Sequence, residues 1–478
     1  MVRIMFFLVF WAIFMKPILA QSTWIRTYGG AGGEEGFDVQ QTTDGGYIIV
    51  GRTSSFGAGA GDMYLIKSDS IGNMLWSRTF GGSESDCGFG VIQMDDLGYA
   101  VVGCTIFGDP LKSALYIVKT NMDGDTLWTR RYYERINPVG RAIQQTKDGG
   151  LIATGYSGTG SILVKTNPIG DTLWTNIFDV NDIYKSYSIQ QTNDLGYILT
   201  GVGRRDVALV KTDSLGKRLW SKHFGEDLLD CGYSVQQCLD GGYIITGIHY
   251  IPGGFESSSN IYLIKTDASG DALWMRKLGN EGSAGNSVSQ TEDGGYIITG
   301  YNRVSDEYRI NIIKTDSLGF PVWEKIFWGG EGNAVRQTHD GGYIVAGTWN
   351  TQISGKIQEI VLIKTDGLGN TTGINNNLNS NIITNYKLHQ NHPNPFNQST
   401  SITYEVYGNG RNVSLIIYDL LGKEVMKYFK KQQSQGRYRI VWNGRDYEGR
   451  ELPSGIYFYR LENADGNIVL GHKMLLVK

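Results

Sequence analysis

The chain has 478 residues, 41% apolar and 19% charged, with a formal net charge of −3. That supplies apolar sequence for a large core and shows no basic stripe, so a nucleic-acid partner is not expected. Glycine, at 65 residues, stands at about twice its usual share of roughly 7%, which suits a chain with many tight turns.

Arg3 precedes an apolar run over residues 4–15, and Ile18-Leu19-Ala20 stands before Gln21. A run of this length is too short for a bilayer core of about 30 Å, which needs about 20 residues. Residues 1–20 therefore read as a secretory leader, and no transmembrane segment is expected in the mature chain. No cysteine lies at the expected cleavage point, so a lipid anchor is not expected either.

Residues 21–366 repeat one unit seven times. A Gln (Gln41, Gln93, Gln145, Gln191, Gln237, Gln290, Gln337) lies three residues before a turn Asp (Asp44, Asp96, Asp148, Asp194, Asp240, Asp293, Asp340). A strand-like run ending in Lys follows (Lys67, Lys119, Lys165, Lys211, Lys265, Lys314, Lys364), and then comes a Trp. The Trp residues are offset: Trp24 precedes the first turn, and none follows Lys364. Short β-branched and aromatic runs between Gly, Asp and Asn turns are hairpin chemistry, because those residues tolerate positive φ. In the fifth copy the strands are expected near residues 233–237, 243–247, 261–265 and 273–274. A lone four-stranded sheet cannot bury both faces, whereas radial stacking covers them. The fold class is therefore all-β: a seven-bladed β-propeller closed by an N-terminal strand, resembling loosely the secreted repeat propellers.

A residue present in every copy is expected to maintain the blade. The Lys and Asp rows are expected to pair at one blade end, at no more than about 1 kcal/mol each if exposed. The Gln row is expected to bond backbone, and the Trp row to pack between blades. Cys87 and Cys104 are expected diagonally across one hairpin. Cys231 and Cys238 share a strand, and buried thiols are the simpler reading.

Function belongs to residues that break the repeat. The turns on one face hardly vary, while the loops on the other differ greatly, as on a binding surface carried by a rigid scaffold. Residues on that rim include Phe107, Tyr156, Arg204, Arg205, His249, Tyr250, Phe255, Tyr301, Arg303 and Trp349. They make a glycan or protein ligand the expected partner. Six scattered His, no nucleophile elbow, no metal spacing and no cofactor motif favour binding or adhesion over catalysis. A glycosidase or lyase, with carboxylates assembled by the fold, is the alternative.

Residues 367–385 are rich in Asn, Gly, Thr and Ser and read as a linker. Residues 386–478 return to alternating strands separated by turns, which read as a small immunoglobulin-like β-sandwich. This unit carries Asn391-His392-Pro393-Asn394-Pro395-Phe396-Asn397, Tyr418-Asp419-Leu420-Leu421-Gly422, and Trp442-Asn443-Gly444 with Asp446 and Gly449. Ser454-Gly455-Ile456-Tyr457 and a terminal segment ending at Lys478 follow. In order and extent it resembles the type A C-terminal sorting domain of the type IX secretion system. The immunoglobulin-like module of flagellar hook-capping proteins shares its Trp-x-Gly and Ser-Gly-x-Tyr patterns. The sorting-domain resemblance implies a diderm bacterium, passage through the periplasm, the type IX machinery as partner, and a secreted or surface location. It also implies removal of the sorting unit on export.

Overall fold

The computed structural model describes residues 22–108, 112–132, 138–225, 229–251, 259–304, 307–327, 329–350, 358–371, 386–406, 411–419, 423–462 and 468–478. The expected leader, the linker residues 372–385, Phe255 and Gly422 lie outside the described residues.

Seven four-stranded antiparallel sheets form the propeller. Blade one comprises Glu34–Gln41, Tyr47–Thr53, Asp62–Ser68 and Met74–Phe80, and five further blades repeat that order. Blade seven takes Gly330–Gln337, Tyr343–Trp349 and Glu359–Thr365, and Trp24–Tyr28 completes it from the other end of the chain. Trp24 lies opposite Lys364 and Tyr28 opposite Ile360, as the offset Trp row requires.

The second and third strands of blade one, Tyr47–Thr53 and Asp62–Ser68, are buried almost throughout. Neighbouring blades cover both of their faces, which is why they read as continuous apolar runs and not as alternations. The strands run longer than the sequence suggests. In blade five the first strand is Cys231–Gln237, because the ladder continues past an irregularity described below.

Each row of repeated residues has a defined task. The Trp of one blade meets the Tyr that opens the second strand of the next blade, as in Trp24–Tyr47 and Trp76–Tyr99. Six such pairs have ring centroids 5.7–6.1 Å apart at 59–72°. In the remaining case Leu151 stands where the Tyr would be, beside the blade that presents Trp128. Each Trp also lies under a glycine of the next blade's outer turn. Gly72, with φ of +80°, has its missing Cβ directed at the Trp24 ring, so a side chain there would clash as well as strain the backbone.

The Gln row closes a circle of hydrogen bonds. The side-chain oxygen of each Gln accepts the backbone N–H just before the turn Asp of the preceding blade, at 2.8–3.0 Å in all seven cases. The last of these, from His339 N–H to Gln41, joins blade seven to blade one.

The seven Lys–Asp pairs form at 2.8–2.9 Å, but they are not surface pairs, because the lysine side chains are only 2–5% exposed. Each lysine stem runs through the blade, and its ammonium also donates to the next backbone carbonyl, as Lys67 does to Ser68. The Asp in turn accepts from the second turn residue, as Asp44 does from Gly46 N–H.

The C-terminal unit packs two sheets together. One holds Tyr386–Leu388, Thr400–Val406 and Gly436–Trp442; the other holds Glu424–Gln433, Arg411–Tyr418, Gly455–Glu462 and Ile468–Leu476. Phe396, Trp442 and Tyr457 form the aromatic centre of its core. Pro393 and Pro395 follow cis peptide bonds, and Gly444 and Gly449 take positive φ at turns. Asn394 accepts from Leu475 N–H at 2.8 Å, while Phe396 exchanges backbone bonds with Leu475 and Val477. Lys478 reaches Glu451 at 3.0 Å, so the Asn-Pro-Phe segment and the chain terminus hold each other. The unit rests on blade six through Tyr418 stacked on Phe320, with Arg276 and Arg460 beside the rings. No helix among the described residues is long and apolar enough to cross a membrane.

Candidate ligand-binding mouth of the channel

The innermost strand of every blade carries one β-bulge, always at the same point. The pairing shifts between Gly36 and Asp38, Gly88 and Gly90, Gly140 and Ala142, Ser186 and Ser188, Gly232 and Ser234, Gly285 and Ser287, and Gly332 and Ala334. A bulge leaves one residue unpaired and re-aims its side chain. The seven residues so presented are Phe37, Phe89, Arg141, Tyr187, Tyr233, Asn286 and Asn333, and all seven line a cavity of about 580 Å³ along the central channel.

Identical backbone thus carries side chains of four kinds around the ring: two Phe, one Arg, two Tyr and two Asn. Phe37 and Phe89 lie 4.9 Å apart, and the Arg141 guanidinium sits over Phe89 at 4.1 Å. Arg141 donates to the Tyr156 hydroxyl at 2.7 Å, and Tyr187 packs edge-on to both Tyr156 and Tyr233. On the opposite arc, Asn286 donates to Gly332 O at 3.0 Å and Asn333 donates to Gly36 O at 2.8 Å. The ring has an aromatic arc over blades one to five and an amide arc over blades six and seven.

Below this level Arg336 pairs with Asp38 at 3.2 Å across the junction of blades seven and one. Burial raises the Asp38 carboxyl above its ordinary range, and Arg336 partly offsets that. Burial likewise raises the Tyr187 and Tyr233 hydroxyls, so both rings are neutral phenols that can donate and stack. Glu331, two residues before Asn333, is raised first by burial and then by the charge of Glu35.

The residues expected on the variable rim separate into two groups. Tyr156, Tyr250 and Tyr301 gather at the mouth: Tyr156 against Tyr187, and Tyr250 and Tyr301 near enough to influence Tyr233. Arg303 stands over Tyr308, which packs on Tyr301 at 5.0 Å. The others lie apart from that cluster. Phe107 is covered by Arg131 of the outer strand, and Trp349 packs on the core between blades six and seven. Arg204 and Arg205 form a two-residue hairpin turn with φ of 51° and 74°. His249 is buried with Asp230 at 3.0 Å, and Asp230 also accepts from Tyr250 N–H, so this pair fixes the end of the strand Tyr243–Tyr250. The bulge residues escape a reading of loops because they sit inside strands. Their signal is a column four residues before each Gln, directly after a column that is Gly in six copies and Ser in one.

These observations define an all-β protein: a seven-bladed propeller followed by an immunoglobulin-like unit. Residues 392–467 match the model of the FlgD Ig-like domain. No curated protein matches the chain. Among solved structures it is similar to PorZ, an essential surface component of the type-IX secretion system of Porphyromonas gingivalis, at 12% identity and a TM-score of 0.43, covering 94% of this chain and 60% of that one. It thus spans less than two thirds of PorZ. It is also similar to the Pan2 WD40 domain of Neurospora crassa, at 10% identity and a TM-score of 0.48, covering 74% and 99% of the two chains. An endo-arabinase of Bacteroides thetaiotaomicron matches at 12% identity and a TM-score of 0.32, over 47% and 93%.

Proposed function

We propose that the protein is an exported binding or adhesion module whose ligand, a glycan or a protein, enters the channel mouth, and whose C-terminal unit addresses it to the type IX machinery of a diderm bacterium. The observation that carries the binding reading is the ring of seven bulge residues. The scaffold repeats to the level of single hydrogen bonds, yet the side chains it aims into the channel are of four kinds, Phe, Arg, Tyr and Asn, grouped by arc. A purely structural position would repeat like the Lys, Asp and Gln rows. Residues 1–20 would be removed as a leader, 21–366 would be the cargo, and 367–385 would be the linker at which 386–478 is cut away.

Replacing Tyr187 and Tyr233 together with Ala should abolish retention of the full chain on glycan arrays and on partner cells while its thermal unfolding stays cooperative. Unchanged retention would remove the channel from the proposal. Deleting residues 386–478 should leave a folded propeller in the periplasm, and secretion of that truncated protein would remove the address. A second reading, a glycan-active enzyme, is favoured by one feature: a partly buried carboxyl, Glu331, raised first by burial and then by the charge of a second carboxyl, Glu35, as in sites that divide acid and base roles. Turnover of a glycan that Glu331→Gln abolishes would establish it.

A further inference from the structure

The innermost strand of each blade is an edge strand, and an open strand edge takes up an extended peptide by strand addition. Here that edge is closed. Val91 N–H donates to the Asp38 carboxylate of the preceding blade at 3.1 Å, and Val235 and Val335 donate to Ser188 and Ser287, each at 3.2 Å. Two residues further along such strands, Gln93 N–H donates to Gln40 at 2.7 Å and Gln290 N–H to Gln236 at 2.6 Å. A ligand in the channel therefore meets side chains and not a free ladder.

Those side chains carry one unanswered charge. The acidic and basic residues lining the cavity are Asp38, Arg141 and Arg336, with His339; Glu35 and Glu331 lie outside its wall. Asp38 and Arg336 answer each other at 3.2 Å, and Arg336 also donates to Ser287 and to Val335 O. Arg141 has no carboxylate partner among the described residues. It donates to the Tyr156 hydroxyl at 2.7 Å, lies over the Phe89 ring at 4.1 Å, and keeps a buried Nε–H without an acceptor. Stacking holds the plane of the guanidinium and leaves its charge uncompensated, in a chain whose formal net charge is −3. A carboxylate is the anion whose shape matches that fork.

The rest of the wall selects what carries the carboxylate. Phe37 with Phe89, and Tyr187 with Tyr233, give an arc of aromatic surface, the rings 4.9 and 5.2 Å apart within each pair. On the amide arc Asn286 spends its N–H groups on Gly332 O and Asn333 Oδ1, at 3.0 and 3.2 Å, so it offers its own oxygen. An amide oxygen accepts from a hydroxyl and repels a second carboxylate. A sugar has an apolar ring face for the aromatic arc and hydroxyls for the amide arc, and a single acid group on it answers Arg141. The cavity of about 580 Å³ falls within the range of about 300–1,000 Å³ usual for small ligands.

We propose that the channel mouth binds a short glycan carrying one carboxylate, the acid group on Arg141 and the sugar rings between the aromatic and amide arcs. This deepens the binding reading and rests on it. The acid group has two common sources, a uronate and a sialic acid.

The test is calorimetric titration of the full chain with an aldobiouronic acid, its methyl ester, 3′-sialyllactose, lactose and triaspartate. At least one acidic glycan should bind, about tenfold or more tighter than its neutral counterpart, and the tighter of the two names the source. Arg141→Gln should remove the difference between acidic and neutral forms. Where Arg141→Gln lowers the melting temperature, the acid-to-neutral ratio of the unaltered chain decides, and it should shrink as sodium chloride rises from 50 to 300 mM. Equal binding of acidic and neutral glycans, binding of neither acidic glycan, or tighter binding of triaspartate would each overturn the proposal. If acidic and neutral glycans bind equally and Tyr187→Ala with Tyr233→Ala abolishes both, the channel remains the binding site and only the acid preference fails.

Discussion

Replacing Trp24 with Ala tests whether one strand at the chain start holds the ring closed. Trp24 is 4% exposed, packs on Tyr47 at 5.7 Å, and lies in the only blade whose four strands come from both ends of the propeller sequence. A tryptophan buries about 150–250 Å². At about 25 cal/mol per Å² that corresponds to roughly 4–6 kcal/mol as an upper bound, and compactness of the unfolded chain lowers it by about 10–40%. Partial relaxation of the cavity leaves an expected loss of about 3–4 kcal/mol, within the range measured for such truncations. The loss is a large fraction of the stability of about 5–15 kcal/mol usual for a folded domain. The control is Trp128→Ala, at a partly exposed Trp whose blade junction has Leu151 in place of the usual Tyr; its loss should be about 2 kcal/mol or less. Equilibrium urea unfolding followed by tryptophan fluorescence reads both. A Trp24→Ala loss under about 1 kcal/mol, or one no larger than that of Trp128→Ala, would refute closure by this strand.

Acid should loosen the Lys–Asp row. Burial pushes the Asp44, Asp148, Asp194, Asp293 and Asp340 carboxyls up, but bonds from Thr, Lys and backbone outweigh it and hold them low, Asp148 at about 2. Because the folded values lie below the unfolded ones, this stability is fully present above about pH 4 and is lost as pH falls toward 2, at about 1 kcal/mol or less per pair given the exposure of the carboxylates. Melting temperatures recorded from pH 6 to pH 2 should drop across that window, and a flat profile would contradict it. Cys87 and Cys104 are direct cross-strand partners, both with free thiols. Incubation with oxidised glutathione should link them and leave Cys231, which faces Ile248, open to alkylation; peptide mapping that finds Cys87 and Cys104 both alkylated would contradict this.

The blade was legible in the sequence because its maintenance residues recur. A Trp between blades, a Gln bridging them and a Lys reaching its turn Asp perform the same task seven times, so spacing alone exposes them. Burial of the lysines was not legible, since a Lys at the end of an apolar run reads as surface until neighbouring blades cover its stem. The bulges were hidden for a different reason. An extra residue inside a strand changes which residues face each other without changing composition. Cys87 would oppose Thr105 in an unbroken ladder, and the bulge at Phe89 moves it opposite Cys104, so the expected diagonal pair is a direct one. The rim aromatics divided similarly: Tyr156 joins the mouth because Arg141 and Tyr187 are turned into the channel beside it.

The bulges also bear on how such a protein can change. Each unpaired residue is held by backbone pairing on either side of it and contributes little to the ladder, so the amino acid there can be exchanged without retuning the blade that carries it. Seven such positions around one opening act as dials, coupled where neighbouring side chains touch, as Phe37, Phe89 and Arg141 do. Duplication of a blade supplies a new dial already aimed inward, and selection can then set it while the Gln circle and the Trp–Tyr joints stay under separate, stricter constraint. One architecture can thereby pass through many channel-wall chemistries by single substitutions, each leaving a folded chain.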